Sequence, residues 1–133
     1  MNIKAILCML LAGCLSACEH QATETTCSAS YDWGLAVQVK DSATGAWAAS
    51  GARLEIRDPQ GDLVSSVLAM SEFPPDHPEL DARALTGAGE QAGTFKVTVT
   101  KAGYQDWIQR DVIVRRNTCH VERTELTALL QRM

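Results

Sequence analysis

Between residues 94 and 101, apolar and polar side chains alternate without a break. Phe95, Val97 and Val99 take one side, and Thr94, Lys96, Thr98 and Thr100 take the other. A period of two is the signature of a strand buried on one face and wetted on the other, and no helix satisfies it. The same rhythm recurs upstream. Leu35, Val37 and Val39 alternate with Ala36, Gln38 and Lys40, and Ala52, Leu54 and Ile56 alternate with Arg53, Glu55 and Arg57. Asp41-Ser42-Ala43-Thr44-Gly45 separates those two runs, and Asp58-Pro59-Gln60-Gly61-Asp62 follows the second. Both are built of turn formers, and the latter predicts a hairpin to a less regular strand over 63–70.

Residues 104–114 predict a further strand, with Ile108, Val112 and Val114 on one face. Arg110 falls on that same face, which calls for a bulge or an exposed strand end. The last segment is ambiguous. Leu126, Leu129, Leu130 and Met133 recur at helical spacing, whereas Leu126, Ala128 and Leu130 share one face of a strand with Val121 opposite. Strand is preferred, because the strands already counted commit the domain to β architecture. The expectation is therefore an all-β, Greek-key-type β-sandwich of about seven strands over 33–133.

Residues 71–93 break the rhythm. Pro74, Pro75 and Pro78 exclude a regular strand, a short helical stretch fits 79–85, and Gly87, Gly89 and Gly93 follow. A connection this long in a small domain is usually functional or mobile.

The N-terminus has a different character. Lys4 precedes Ile6, Leu7, Met9, Leu10 and Leu11, an apolar helical core too short to span a bilayer, and Leu15-Ser16-Ala17-Cys18 closes it. This order resembles the lipobox of bacterial lipoproteins. The resemblance implies removal of 1–17 as a signal peptide and acylation of Cys18, the one side chain there able to take a thioether-linked lipid. Plain secretion, with Cys18 a spectator, is the competing reading. Residues 18–32 then form the lipidated cysteine and a polar tether, of which residues 19–26 reach at most about 30 Å when extended. Glu19, in place of the aspartate associated with inner-membrane retention, points to the outer membrane with the domain facing the periplasm.

Five cysteines sharpen the compartment argument. Cys8 and Cys14 leave with the signal and Cys18 carries lipid, so Cys27 and Cys119 remain. In an oxidising envelope two leftover thiols most simply pair, closing a loop of about 90 residues. Free thiols or a shared metal are the alternatives, although the two lack the close spacing of a zinc site. The net charge of −4, made one unit more negative by loss of Lys4, offers no basic patch for nucleic acid or anionic lipid. Acyl chains, each buried methylene contributing about 0.8 kcal/mol, would supply the membrane attachment.

With its strands laid out, the chain resembles the carboxypeptidase regulatory-like domains, small sandwiches related to the prealbumin (transthyretin-like) fold. The likeness rests on Val37-Gln38-Val39-Lys40-Asp41 with Thr44-Gly45, and on Ala52-Arg53-Leu54-Glu55-Ile56-Arg57-Asp58. Its strongest part is Gly89-Glu90-Gln91-Ala92-Gly93-Thr94-Phe95-Lys96-Val97-Thr98-Val99 leading to Gly103-Tyr104; Cys119-His120-Val121 resembles a closing segment of lipoprotein-like members. These motifs imply a fold rather than an activity.

Candidate sites are sparse. His20, His77 and His120 show no ligand spacing, and Asp76, Glu79 and Asp81 read as a solvated acidic loop sooner than a weak calcium site. No serine occupies a Gly-x-Ser-x-Gly elbow. Transthyretin-like hydrolases use clustered histidine and arginine and a Tyr-Arg-Gly-Ser terminus, whereas this chain ends Leu130-Gln131-Arg132-Met133. No catalytic residue, metal or cofactor is therefore expected. Among Trp33, Trp47 and Trp107, at least one should be core, and Trp47, flanked by alanines in a loop-like stretch, is the candidate for binding. The expected function is a non-catalytic binding or accessory module for an envelope protein, peptide or glycan, with Trp47, Asp76 and His77 as candidate contacts. A small hydrolase using the 71–93 loop is the alternative.

Overall fold

The computed structural model describes residues 26–69 and 83–133. The expected signal peptide at 1–17, Cys18, His20 and most of the expected tether, together with Asp76, His77, Glu79 and Asp81, lie outside the described residues. Eight strands run in chain order among the described residues: β1 (Leu35–Asp41), β2 (Arg53–Arg57), β3 (Leu63–Leu68), β4 (Ala84–Gly87), β5 (Gly93–Thr100), β6 (Trp107–Arg116), β7 (Val121–Glu122) and β8 (Thr124–Leu130). They form two sheets, one of three strands ordered β4-β1-β8 and one of five ordered β3-β2-β5-β6-β7. The protein is an all-β sandwich.

The alternating residues meet between the sheets. Leu35, Val37, Val39, Leu54, Ile56, Val97 and Val99 are fully buried, joined by Phe95, Val112, Val114, Val121, Ala128 and Leu130. Burying a side chain of this size stabilises by about 1.5–3 kcal/mol, so the inner faces dominate the folding energy. The β2–β3 hairpin forms as its turn chemistry demands. Asp62 N–H donates to Asp58 Oδ1 at 2.8 Å, and Gly61 takes φ 90°, a conformation that glycine adopts without a Cβ clash.

β1 is the hinge of the topology. It pairs antiparallel with β4 on one edge and parallel with β8 on the other, from Leu35↔Thr124 to Asp41↔Leu130. The ambiguous C-terminal segment is thus strand. The break at Arg123, between β7 and β8, lets Val121 and the Leu126, Ala128 and Leu130 row all turn inward despite their opposite parity.

The expected irregularity around Arg110 is a bulge. Phe95 pairs with Val112 and Val97 with Gln109, so Arg110 and Asp111 oppose Lys96 alone, and Asp111 takes φ 56°. One extra residue flips the parity of everything before it. Ile108, expected inside with Val112 and Val114, is consequently 50 % exposed, and Trp107 packs against the core in its stead.

Gly34 marks where three segments converge at one end of the sandwich. Its N–H donates to Gly89 O at 2.8 Å and its carbonyl accepts from Thr124 N–H at 2.9 Å. A Cβ there would stand 2.9 Å from Val114 Cγ1 and 3.2 Å from Gly89 O, closer than packed atoms tolerate.

Candidate functional site

Chemistry-bearing side chains gather at the two ends of β1, which spans about 20 Å. The end beyond Asp41 carries Trp47. Its loop is fixed by Asp41 N–H to Ala46 O (2.9 Å), Ala48 N–H to Val39 O (2.9 Å) and Lys101 Nζ to Ala48 O and Ser50 O (2.9 and 2.8 Å). Those bonds bury Ala48 and Ala49 and leave Trp47 47 % exposed. Trp47 bridges Lys40 on the same edge of β1 that β4 occupies. Lys40 Nζ lies 4.4 Å from the indole centroid, and the Arg83 guanidinium carbon 5.6 Å. Both distances fall within cation–π range. The result is an aromatic plate beside two positive charges on a rigid loop. Trp107 is the tryptophan that joins the core, and Trp33 meets Tyr31 edge to face at 5.2 Å near the opposite end.

At the same end of β1 lies a group the sequence disguised as a turn residue. Asp41 is only 2 % exposed. Its Oδ1 accepts from Ala43 and Thr44 N–H, at 2.9 and 3.0 Å. Its Oδ2 accepts from Tyr104 Oη at 2.9 Å and Arg132 Nε at 2.7 Å. The Arg132 and Tyr104 bonds hold its carboxyl far below the usual carboxylate range, against the opposing pull of burial. The same bond raises Tyr104. A carboxylate with every acceptor site used clamps the β1 end, the Gly103-Tyr104 turn and the C-terminus together.

The opposite end holds the disulfide between Cys27 and Cys119, whose Cα atoms are 5.3 Å apart. Adjacent to it, Glu90 from the β4–β5 turn accepts from Asp32 N–H (2.8 Å) and from Val121 N–H (3.3 Å). His120 Nδ1 stands 3.1 Å from Glu90 Oε1, and its Nε2 stands 3.2 Å from Ser28 Oγ. The Asp32 backbone bond, with smaller help from His120, keeps Glu90 ionised to lower pH than an ordinary glutamate. Ser28, His120 and Glu90 follow the order of a serine–histidine–carboxylate relay. Ser28 is nevertheless exposed to water, where a nucleophile gains little from such a base.

The sequence pointed to a pairing of Cys27 with Cys119, which the structure shows, and to Trp47, which lies exposed on its loop. Asp76 and His77 fall outside the described residues. Lys40, Arg83, Asp32 and Glu90 carry no local signal of a site, because each meets its partners only once the sheets have assembled. The signal available was the adjacency of Cys119 and His120: a disulfide to Cys27 necessarily draws the Ser28 segment to that histidine. Compared with known proteins, the chain matches no family model and no curated sequence.

Proposed function

We propose that the chain is a lipid-anchored envelope lipoprotein whose sandwich, of carboxypeptidase regulatory-like type, is a non-catalytic binding or accessory module. The observation that carries the binding part is Trp47, a large apolar side chain held in water on a loop fixed by its neighbours. Exposed aromatics on rigid scaffolds are the usual energetic centres of recognition surfaces. The flanking Lys40 and Arg83 favour a protein, peptide or glycan ligand that carries negative charge.

The anchor argument adds an orientation. Cys27 ties the start of the described chain to the disulfide end, and Cys18 precedes it by nine positions, a reach of at most about 30 Å. The attachment point is therefore at the disulfide end, and Trp47 lies at the end remote from it.

Two measurements test this reading. In cells fed a clickable fatty-acid analogue, the wild-type chain takes up label and Cys18→Ser does not. Label retained in Cys18→Ser would defeat the anchor. A photo-crosslinking residue at Ala46 should capture an envelope component in intact cells, and Trp47→Ala in the same chain should reduce capture at least about tenfold with an unchanged melting temperature. Equal capture by both forms would remove Trp47 from the proposal.

A further inference from the structure

Asp32, Glu90 and His120 come from three separate segments: the strand-free stretch before β1, the β4–β5 turn and the β6–β7 turn. One donor atom from each lies within 4.8 Å of the other two, and all three residues are half-buried. Glu90 and His120 explain each other as a hydrogen-bonded pair. Asp32 does not fit that account. Its carboxylate makes no hydrogen bond of its own among the described residues, while its backbone N–H donates to Glu90 Oε1 at 2.8 Å and holds the two acidic residues side by side at the imidazole. Two carboxylate oxygens and one imidazole nitrogen brought together from three segments are a donor set that a single cation can join.

We propose that Asp32, Glu90 and His120 bind one divalent first-row transition ion, zinc being the probe of choice, with a fourth position open to water. One imidazole nitrogen and two carboxylate oxygens make a donor set suited to such an ion, and the nitrogen disfavours calcium and magnesium. Nδ1 of His120, facing Glu90, is the ligating atom. Nε2 then carries the proton and donates to Ser28 Oγ, the outer partner that fixes the tautomer and ring of a ligating histidine. Zinc ligands at about 2.0–2.2 Å stand closer together than the present spread, so Asp32 must rotate inward. As a half-exposed side chain outside any strand, it is free to do so. The disulfide supports the arrangement, since Cys119 precedes His120 and Cys27 anchors the stretch that leads to Asp32.

The test is calorimetric titration of the full chain, disulfide intact, with zinc chloride, alongside visible spectra of the cobalt(II) form. One zinc per chain is expected, with a tetrahedral cobalt spectrum. Asp32→Asn and His120→Asn should each weaken binding at least about tenfold. His20→Asn and His77→Asn should leave it unchanged, and a hundredfold excess of magnesium should not compete. Should His120→Asn fail to fold, Asp32→Asn and its cobalt spectrum decide alone. Unaltered affinity in Asp32→Asn, loss in His77→Asn instead, or no saturable zinc binding would each overturn the site.

Discussion

Replacing Cys27 and Cys119 together by serine is expected to lower stability by up to about 4–5 kcal/mol. The crosslink joins residues 92 positions apart, and on the chain-entropy model a loop of that size removes this much freedom from the unfolded chain. A domain of ordinary stability has about 5–15 kcal/mol in total, so the double variant should be barely folded at 37 °C. Nothing else in the fold substitutes for the link. Residues 26–34 contain no strand, and their described hydrogen bonds to the sandwich are few: Ser28 to His120, Asp32 to Glu90, and Gly34 to Gly89 and Thr124. Urea unfolding monitored through the tryptophans measures the effect. A midpoint matching that of the oxidised wild type would show that the crosslink contributes nothing. In the double variant, backbone amide exchange should rise first around Glu90, His120 and Val121, because those residues pack at the tied end.

Asp41→Asn is expected to lower the melting temperature by about 10 °C, the loss typical of disrupting the hydrogen bonds of a buried carboxylate in a domain this size. The amide can still accept from Ala43 and Thr44 through its oxygen, but it turns an N–H₂ group toward Tyr104 Oη and Arg132 Nε, where two donors already converge. Tyr104→Phe removes one bond and keeps the charge, so its drop should be clearly smaller. The same group sets an acid limit. Its folded pKa is depressed, so its stabilisation is complete above the unfolded value of about 4 and is lost progressively as the pH falls below that. The wild type should therefore lose melting temperature steeply below about pH 4. The slope should be shallower in Asp41→Asn but not flat, since Glu90 is depressed as well. Melting curves from pH 7 to pH 2 read both; identical slopes for the two forms would show that Asp41 does not carry the acid sensitivity.

The alternation in residues 35–39, 52–56 and 94–100 determined by itself that this chain is a β-sandwich, and the count of cysteines determined which two could pair. Both are legible because they depend on local facts: a strand exposes and buries side chains in turn whatever its partner, and the two cysteines outside the N-terminal apolar stretch have few choices. Even the bulge announced itself, as a charged Arg110 on an apolar face. Its consequence did not. Which residue opposes Lys96 is settled only by pairing with β5, and that pairing sends Ile108 out and Trp107 in.

The parallel closure of β8 on β1 joins the first and last described strands, and no periodicity encodes a partner so distant. Asp41, Tyr104 and Arg132, like Asp32, Glu90 and His120, are unremarkable letters in their own surroundings. They become a buried clamp and a half-buried cluster because strand pairing and one covalent bond carry them across the sequence to the same ends of the sandwich, where desolvation and short distances give their charges force.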